Sequence, residues 1–334
     1  MEKLPSDRRP TAVVLGASHW HAPLYRDALA RRFDVLAVQD ARPEALASFA
    51  SPLQAPVVAS VDEALDHDRI DVAFVFSPHH EMPSVSRKLI ARGIAFVIEK
   101  PAATNIVDLR TLQEEARLAG VPVTVPLVQR DAPVETWLRQ AGDITYERMS
   151  FITGPPSRYR QNGNPWMVDP LRSGGGSLMN LGVHFVDMAI RHLGPPDDVV
   201  RKQSSALHAE LVDDHATMIL GSAGREAIVE VGYAYPDSPL KRYCSFSATG
   251  TKGFASVDTD GTARFTSVDG ETTTAVIEVD SDPLYEVFVD AVANTLPDGF
   301  AGLPTLADLV ATMELIWSEG PVSAKGPVPA VTHG

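Results

Sequence analysis

Four histidines stand in two short clusters, His19 and His21 on either side of Trp20, and His79 beside His80. Imidazoles exchange protons near neutrality and ligate metals, and H-x-H or H-H pairs can share an ion. Apart from Glu81, no acid or cysteine joins them in sequence, so hydrogen bonding to a bound phosphate or substrate is preferred and no metal is expected. Each cluster follows a short apolar run, TAVVLG or VAFVF. The first continues as Gly16-Ala17-Ser18-His19-Trp20-His21, where G-x-G-x-x-G would let backbone turn tightly, approach a pyrophosphate and pack a helix on a strand. Only Gly16 of those glycines is present; Ser18 is small and carries a donor, whereas His21 is bulky. Asp40 closes the next apolar run 24 residues later. A carboxylate there accepts from a ribose diol and repels a 2′-phosphate, which favours NAD, while Arg42 keeps NADP open. The plainer reading of Asp40 is a turn acid.

Three more motifs extend the pattern: Val75-Phe76-Ser77-Pro78-His79-His80, then Val97-Ile98-Glu99-Lys100-Pro101, then Gly174-Gly175-Gly176-Ser177-Leu178-Met179-Asn180-Leu181-Gly182-Val183-His184-Phe185-Val186-Asp187. Together they resemble the glucose-fructose oxidoreductase / inositol dehydrogenase family (Gfo/Idh/MocA) over nearly the whole chain. The resemblance implies a nucleotide-binding N-terminal domain, a C-terminal domain whose open sheet makes oligomer contacts, and a substrate held between them. In it Lys100 matches the catalytic lysine of E-K-P and His184 the catalytic histidine. Asn180 stands where the family has aspartate, His79 where it tends to have asparagine, and Met82 where histidine is common. The cofactor surroundings it implies are Gly16, Ser18, His19, Trp20, His21, Asp40, Arg42, Ser77, Pro78, His79, Glu99 and Lys100. Substrate candidates are Lys100, Asn180 and His184, with Arg130 (in VPLVQR) and Trp166 (in NPWMVDP) added from family-like surroundings.

Hydride leaves a carbinol carbon only as its hydroxyl loses a proton, so a base must sit within about 3 Å of that oxygen. Lys100 as ammonium would stabilise the alkoxide, and with a pKa lowered by burial it would take the proton itself. His184 could take or relay that proton. Asn180 is one helical turn earlier, on the same face, and its amide can orient a hydroxyl but carry no proton. Asp187, one turn beyond His184, reads as a partner for the imidazole or a cap for a neighbour. By residue type alone, a lysine before proline is a surface residue and a helix histidine a structural one; the paired motifs reverse both. The expected activity is an NAD-preferring oxidoreductase acting on a secondary alcohol of a sugar, cyclitol or sugar acid, or on the matching ketone. Two alternatives stand beside it: tightly held NAD used in a transient redox cycle, and a nucleotide or sugar sensor without turnover.

These groups need elements to hold them. Short β-branched runs at 12–15, 35–38, 72–76, 95–98 and 121–125 alternate with helical patterns at 24–32, 61–65, 83–92 and 107–119, the signature of βαβ units in a doubly wound parallel sheet. Gly93 and Gly120 sit one step past two of those helices, where a left-handed cap wants glycine. After a helix near 133–140, segments 145–152, 215–220, 227–235, 243–248 and 273–279 alternate apolar with polar residues. They predict an open, mostly antiparallel sheet in an α+β domain. A long helix after glycines 174–176 and two late helices, 285–294 and 306–318, flank that sheet. The fold class is thus α/β, with a Rossmann domain at 1–128 and a substrate-binding and oligomerising domain at 129–334.

The composition agrees. A length of 334 residues suits about two domains, and 44% hydrophobic with 22% charged residues suits globular cores. A net charge of −14 disfavours nucleic acid and anionic lipid as partners. The lone cysteine, Cys244, can form no internal disulfide, which fits a cytoplasmic protein. The start of the chain has no apolar leader stretch and no run is long enough for a membrane span. The broad antiparallel sheet suggests a homodimer or homotetramer, and the Pro/Gly-rich end 326–334 is expected to fray.

Overall fold

A computed structural model describes residues 8–42, 46–237 and 241–318, and the backbone of 322–323. The expected frayed end and residues 1–7 lie outside the described residues.

Two sheets carry the architecture. The first is six-stranded and wholly parallel: β1 (Thr11–Leu15), β2 (Asp34–Gln39), β3 (Val57–Val58), β4 (Val72–Val75), β5 (Phe96–Ile98) and β6 (Val123–Thr124), in the order β3-β2-β1-β4-β5-β6. Reversal of strand order between β1 and β4 opens a crevice at their carboxyl ends, where such sheets bind ligands. The central strands are apolar on both faces, as strands buried beneath helices on both sides must be: Val72, Ala73, Phe74 and Val75 are all buried. Helix Ile106–Ala119 shows why the helical pattern was legible. Asn105 accepts at its head from the Asp108 N–H at 2.9 Å, and Gly120 ends it at φ +64. Gly93 is left-handed as expected, at φ +67.

The second sheet has nine strands: β7 (Ile144–Thr153), β8 (Asp198–Ser204), β9 (His215–Ser222), β10 (Arg225–Gly232), β11 (Arg242–Gly250), β12 (Gly253–Val257), β13 (Thr262–Ser267), β14 (Thr272–Val276) and β15 (Val322–Ser323). Their order is β14-β13-β12-β11-β7-β10-β9-β8-β15. Every pairing is antiparallel except β7 with β10. Alternation buries Ala216, Met218 and Leu220 of β9 on one face, toward helix Val183–Leu193, whose Phe185 stacks near Phe151 and Phe246. Tyr146, Tyr243 and Phe254 are exposed.

Three features depart from the sequence pattern. Strands β3, β8, β12, β13 and β15 were not expected: β3 and β15 are two residues each, β12 (GFASV) is short and opens on glycine, β8 (DVVRKQS) buries little beyond Val199, and β13 carries mostly polar residues. The expected long helix after the glycines begins instead as a π-helical turn, Leu178–Gly182, before the α-helix Val183–Leu193. The late helices do not belong to the second sheet alone. Helix Asp282–Thr295 packs on helix Ala22–Arg32, with Tyr285 against Tyr25 at 5.2 Å, and helix Leu306–Trp317 packs on helix Ile106–Ala119 as well as on helix Val183–Leu193. Exposed ion pairs Arg31–Glu286 and Arg110–Glu314 cross the same seams.

Candidate active site

The first turn is built by backbone closeness. Gly16 has φ +75, and a Cβ there would lie 2.4 Å from the Ser77 nitrogen, so the β1 and β4 turns approach each other only because residue 16 has no side chain. Asp40, buried at the end of β2, accepts from the Ser18 N–H at 2.8 Å and from the Arg42 N–H at 3.0 Å. Gly16, Ser18, Asp40, Arg42, Ser77 and Pro78 line a cavity of about 280 Å³. Segment 162–173 of the second half folds across its mouth. Asn164 donates to the Ser18 carbonyl at 3.1 Å, Arg42 donates to the Gly163 carbonyl at 3.1 Å, and the His80 N–H reaches the Arg172 carbonyl at 3.2 Å.

His19, His21 and His79 are held as neutral rings. His19 Nδ1 accepts from the His21 N–H at 3.1 Å, so the neutral ring carries its proton on Nε2, which is buried without a partner. Burial drives its pKa well below 6.5, with the charge of His21 adding to it. His79 Nδ1 donates to the Ser173 carbonyl at 2.7 Å; burial pushes its pKa down to about 3. Burial and then Lys100 hold His21 neutral; its Nδ1 lies 3.2 Å from Glu99 Oε1 but makes no hydrogen bond. Among the described residues no three metal-ligating side chains converge. The orphaned donors His19 Nε2–H and Trp20 Nε1–H sit on this turn, beside a glycine approach and a ribose-type carboxylate. That donor set fits an acceptor-rich dinucleotide.

Beyond the turn lies a second cavity of about 330 Å³, lined among others by Trp20, His21, Lys100, Arg158, Asn180, His184 and Tyr285. Glu99 anchors its floor, accepting from Tyr25 OH at 2.6 Å and from the Lys100 N–H at 3.1 Å. Lys100 Nζ donates to the Asn180 backbone oxygen at 2.7 Å and to its Oδ1 at 2.8 Å. The first bond reaches a backbone carbonyl within the π turn Leu178–Gly182. The amide's other end donates to Tyr159 OH at 2.8 Å and Tyr233 OH at 3.0 Å, so its orientation is fixed by three partners. Burial lowers the Lys100 pKa to about 8 against the opposing pull of Glu99. His184, 9% exposed, is neutral through burial and then through Lys100, and its Nδ1 has no partner.

The geometry therefore gathers Lys100, Asn180 and His184 in one cavity and Gly16, Ser18, Asp40, Arg42, Ser77 and Pro78 in the other. His19 and His79 lie between them with Trp166, whose ring centroid is 5.5 Å from His19 and 4.6 Å from His79. Trp166 thus lines the smaller cavity rather than the one that holds Lys100. Arg130 is drawn to neither cavity: its guanidinium grips Asp187 through two bonds, the Nε one at 2.7 Å, and lies 3.0 Å from Asp308. That pair leaves Asp187 unavailable to His184, and the Asp187 pKa is raised, chiefly by burial. Arg158 lines the cavity, and Tyr159 and Tyr233 hold its Asn180, without any motif pointing to them. Their only sequence signal is aromatic and basic residues in a loop after β7 and at the end of β10.

Comparison with known proteins fits this geometry. Residues 11–127 match the family described as oxidoreductase family, NAD-binding Rossmann fold, and residues 139–256 match the GFO/IDH/MocA C-terminal domain. The chain belongs to the Gfo/Idh/MocA family of NAD-binding oxidoreductases. Trans-1,2-dihydrobenzene-1,2-diol dehydrogenase of Macaca fascicularis is 25% identical over 201 residues, 58% of this chain and 57% of that protein. The chain spans about half the length of the curated relatives it matches. In fold, it is similar to GenD2 from gentamicin A biosynthesis in complex with NAD (22% identity, TM-score 0.78, 95% of each chain covered). It is also similar to the WlbA dehydrogenase from Bordetella pertussis in complex with NADH and UDP-GlcNAcA (18% identity, TM-score 0.78, 94% and 95% covered).

Proposed function

We propose that the protein is a dehydrogenase that transfers hydride between a nicotinamide cofactor, NAD by preference, and a secondary alcohol or ketone of a sugar, cyclitol or sugar acid. The observation that carries this is Lys100: a buried amine with a pKa near 8, held by Asn180 in a cavity beside a neutral His184. Residues 1–128 would hold the nucleotide and 129–334 the substrate. Gly16, Ser18, Ser77 and the unpartnered donors of His19 and Trp20 would hold the phosphates, and Asp40 the ribose diol. Bound NAD supplies the hydride acceptor.

Lys100 does the proton work. Two of its three N–H directions are taken by Asn180, which leaves the remaining position of Nζ for the substrate hydroxyl. As a neutral amine it accepts the proton that the carbinol loses; as ammonium it returns a proton to the ketone in the reverse direction. His184, neutral, orients the same oxygen, donating from one ring nitrogen or accepting at the other. Asn180 orients and carries no proton. The exposed residues Tyr146, Tyr243 and Phe254 on the second sheet support a homodimer or homotetramer, and the single buried Cys244 suits the cytoplasm.

The test is NADH formation at 340 nm across a polyol, sugar and sugar-acid panel, with Lys100→Met alongside. Oxidation by the wild type should rise with pH to a plateau above about 8, and Lys100→Met should lose at least about a hundredfold in kcat, the range of a general base. Unchanged turnover in Lys100→Met would overturn the assignment.

A further inference from the structure

Resting on that reading, the large cavity holds one group the proton chemistry does not use. Arg158, on the short helix Ser157–Gln161, lines it and is half-buried. Its Nη2 donates to Thr153 Oγ1 and to Tyr159 OH, both at 3.0 Å, and its guanidinium carbon lies 5.0 Å from the Tyr159 ring centre and 5.6 Å from that of Tyr233. All these partners are neutral. Its Nε–H is buried with no partner, and among the described residues no carboxylate pairs with it. The cavity's other cations differ. Lys100 stands over Glu99, and Arg242 donates to Asp280 at 2.8 Å, while Lys241 is exposed at the rim. In a chain with 29 cationic and 43 acidic residues, this lining reverses the balance, with Lys100, Arg158, Lys241 and Arg242 against Asp237 and Asp282.

A guanidinium withdrawn from water without a counter-charge is costly, and the cost is relieved when an anion seats on it. Arg158 is also placed relative to the reacting group. Its Nη2 reaches Tyr159 OH, Tyr159 OH receives Asn180 Nδ2, and Asn180 Oδ1 receives Lys100 Nζ. The cation and the base are three hydrogen bonds apart along one chain of side chains.

We infer that the substrate is a hydroxy acid whose carboxylate seats on Arg158 while its carbinol oxygen meets Lys100. One uncompensated cation matches one carboxylate, and with both Nη2 hydrogens taken by Thr153 and Tyr159 it is Nη1 that remains to donate to it.

The experiment uses the NAD-loaded protein and uronic and aldonic acids, each paired with its methyl ester or neutral sugar and with a sugar phosphate. Binding is read by calorimetry and turnover by NADH formation. The wild type should prefer the acid over its neutral partner at least tenfold. Arg158→Gln should abolish that ratio, and Arg158→Lys, which keeps the charge but loses the guanidinium held by Thr153 and Tyr159, should retain part of it. Equal or better binding of the neutral partners, preference for the phosphates, a ratio that survives Arg158→Gln, or no binding by any panel member would each overturn the inference. Should Arg158→Gln not fold, the wild-type ratio and Arg158→Lys still decide. Turnover of neutral sugars alone would sink this inference and leave the dehydrogenase reading intact. Arg158-dependent acid binding without NADH would do the opposite.

Discussion

Two buried histidine environments in this chain have opposite electrostatics. Around the active cleft, His19, His21, His79 and His184 are all driven neutral, first by burial, with Lys100 a further cause for each. His192, on the far turn of helix Val183–Leu193, has a side chain only 1% exposed, yet its pKa is pushed up to about 9. There burial is outweighed by Glu135 and Glu147, each with a carboxylate oxygen 2.7 Å from a ring nitrogen. Burial is common to both; the sign of the neighbours decides the charge. The cleft is left with neutral rings and orphaned donors for a ligand to engage, whereas His192 sits between two carboxylates, its Nδ1 hydrogen-bonded to Glu147 and its Nε2 close to Glu135, and ties the 133–138 helix, β7 and the site-bearing helix together.

The sharpest way to break this contrast is His192→Leu, which leaves Glu147 buried without its cation and Glu135 with only Arg139 and Arg191. Removing one partner of such a buried set costs about 3–5 kcal/mol. Thermal melting should fall by roughly 5 °C, and a change of only a degree or two would mean that the cluster is not ionised. The same charge should be visible without mutation. His192 has a folded pKa above its unfolded value of about 6.5, so its contribution is full below that pH and is lost as pH rises through about 9. The loss amounts to roughly 3 kcal/mol. Melts between pH 6 and pH 10 should show it, and His192→Leu should flatten that slope.

On the cleft side, Asn180→Asp supplies the carboxylate that the histidine-rich site lacks. An opposite charge at the Asn180 position should raise the Lys100 pKa from about 8 by 1–3 units. The pH profile of kcat/KM for oxidation should then shift up by the same amount, and an unmoved midpoint would show that Lys100 is not the titrating base. The smallest effect belongs to His79→Phe. Losing one neutral hydrogen bond to the Ser173 carbonyl costs about 1 kcal/mol. A loss as large as that for His192→Leu would erase the distinction between the two environments.

The central strands of the first sheet were legible because they are buried on both faces, and helix Ile106–Ala119 because it carries its own start and stop, Asn105 and Gly120. Of the strands that escaped, β8 and β13 satisfy few apolar contacts, β3 and β15 are two residues long, and β12 buries only Ala255 and Val257; they exist because their neighbours offer open edges, which no local pattern records. Lys100 and His184 could be read from motif spacing. Tyr159, Tyr233 and Arg158 could not, since they meet Asn180 only through tertiary folding. Arg130 and Trp166 were drawn from similar surroundings, but folding commits one to Asp187 and the other to the histidine turn. The π turn, invisible in LMNLG, carries the Asn180 carbonyl that Lys100 reaches.

The late helices carry a consequence for anyone wishing to recombine this scaffold. Helix Asp282–Thr295 covers Tyr25 and its helix, and helix Leu306–Trp317 covers helix Ile106–Ala119, so the nucleotide half borrows its outer layer from the end of the chain. A graft cut near residue 128 would strip that layer and expose apolar surface on two helices. Exchange of specificity between relatives is better served by transplanting the insert between about 144 and 280, which leaves both ends of the polypeptide clasped around the same parallel sheet.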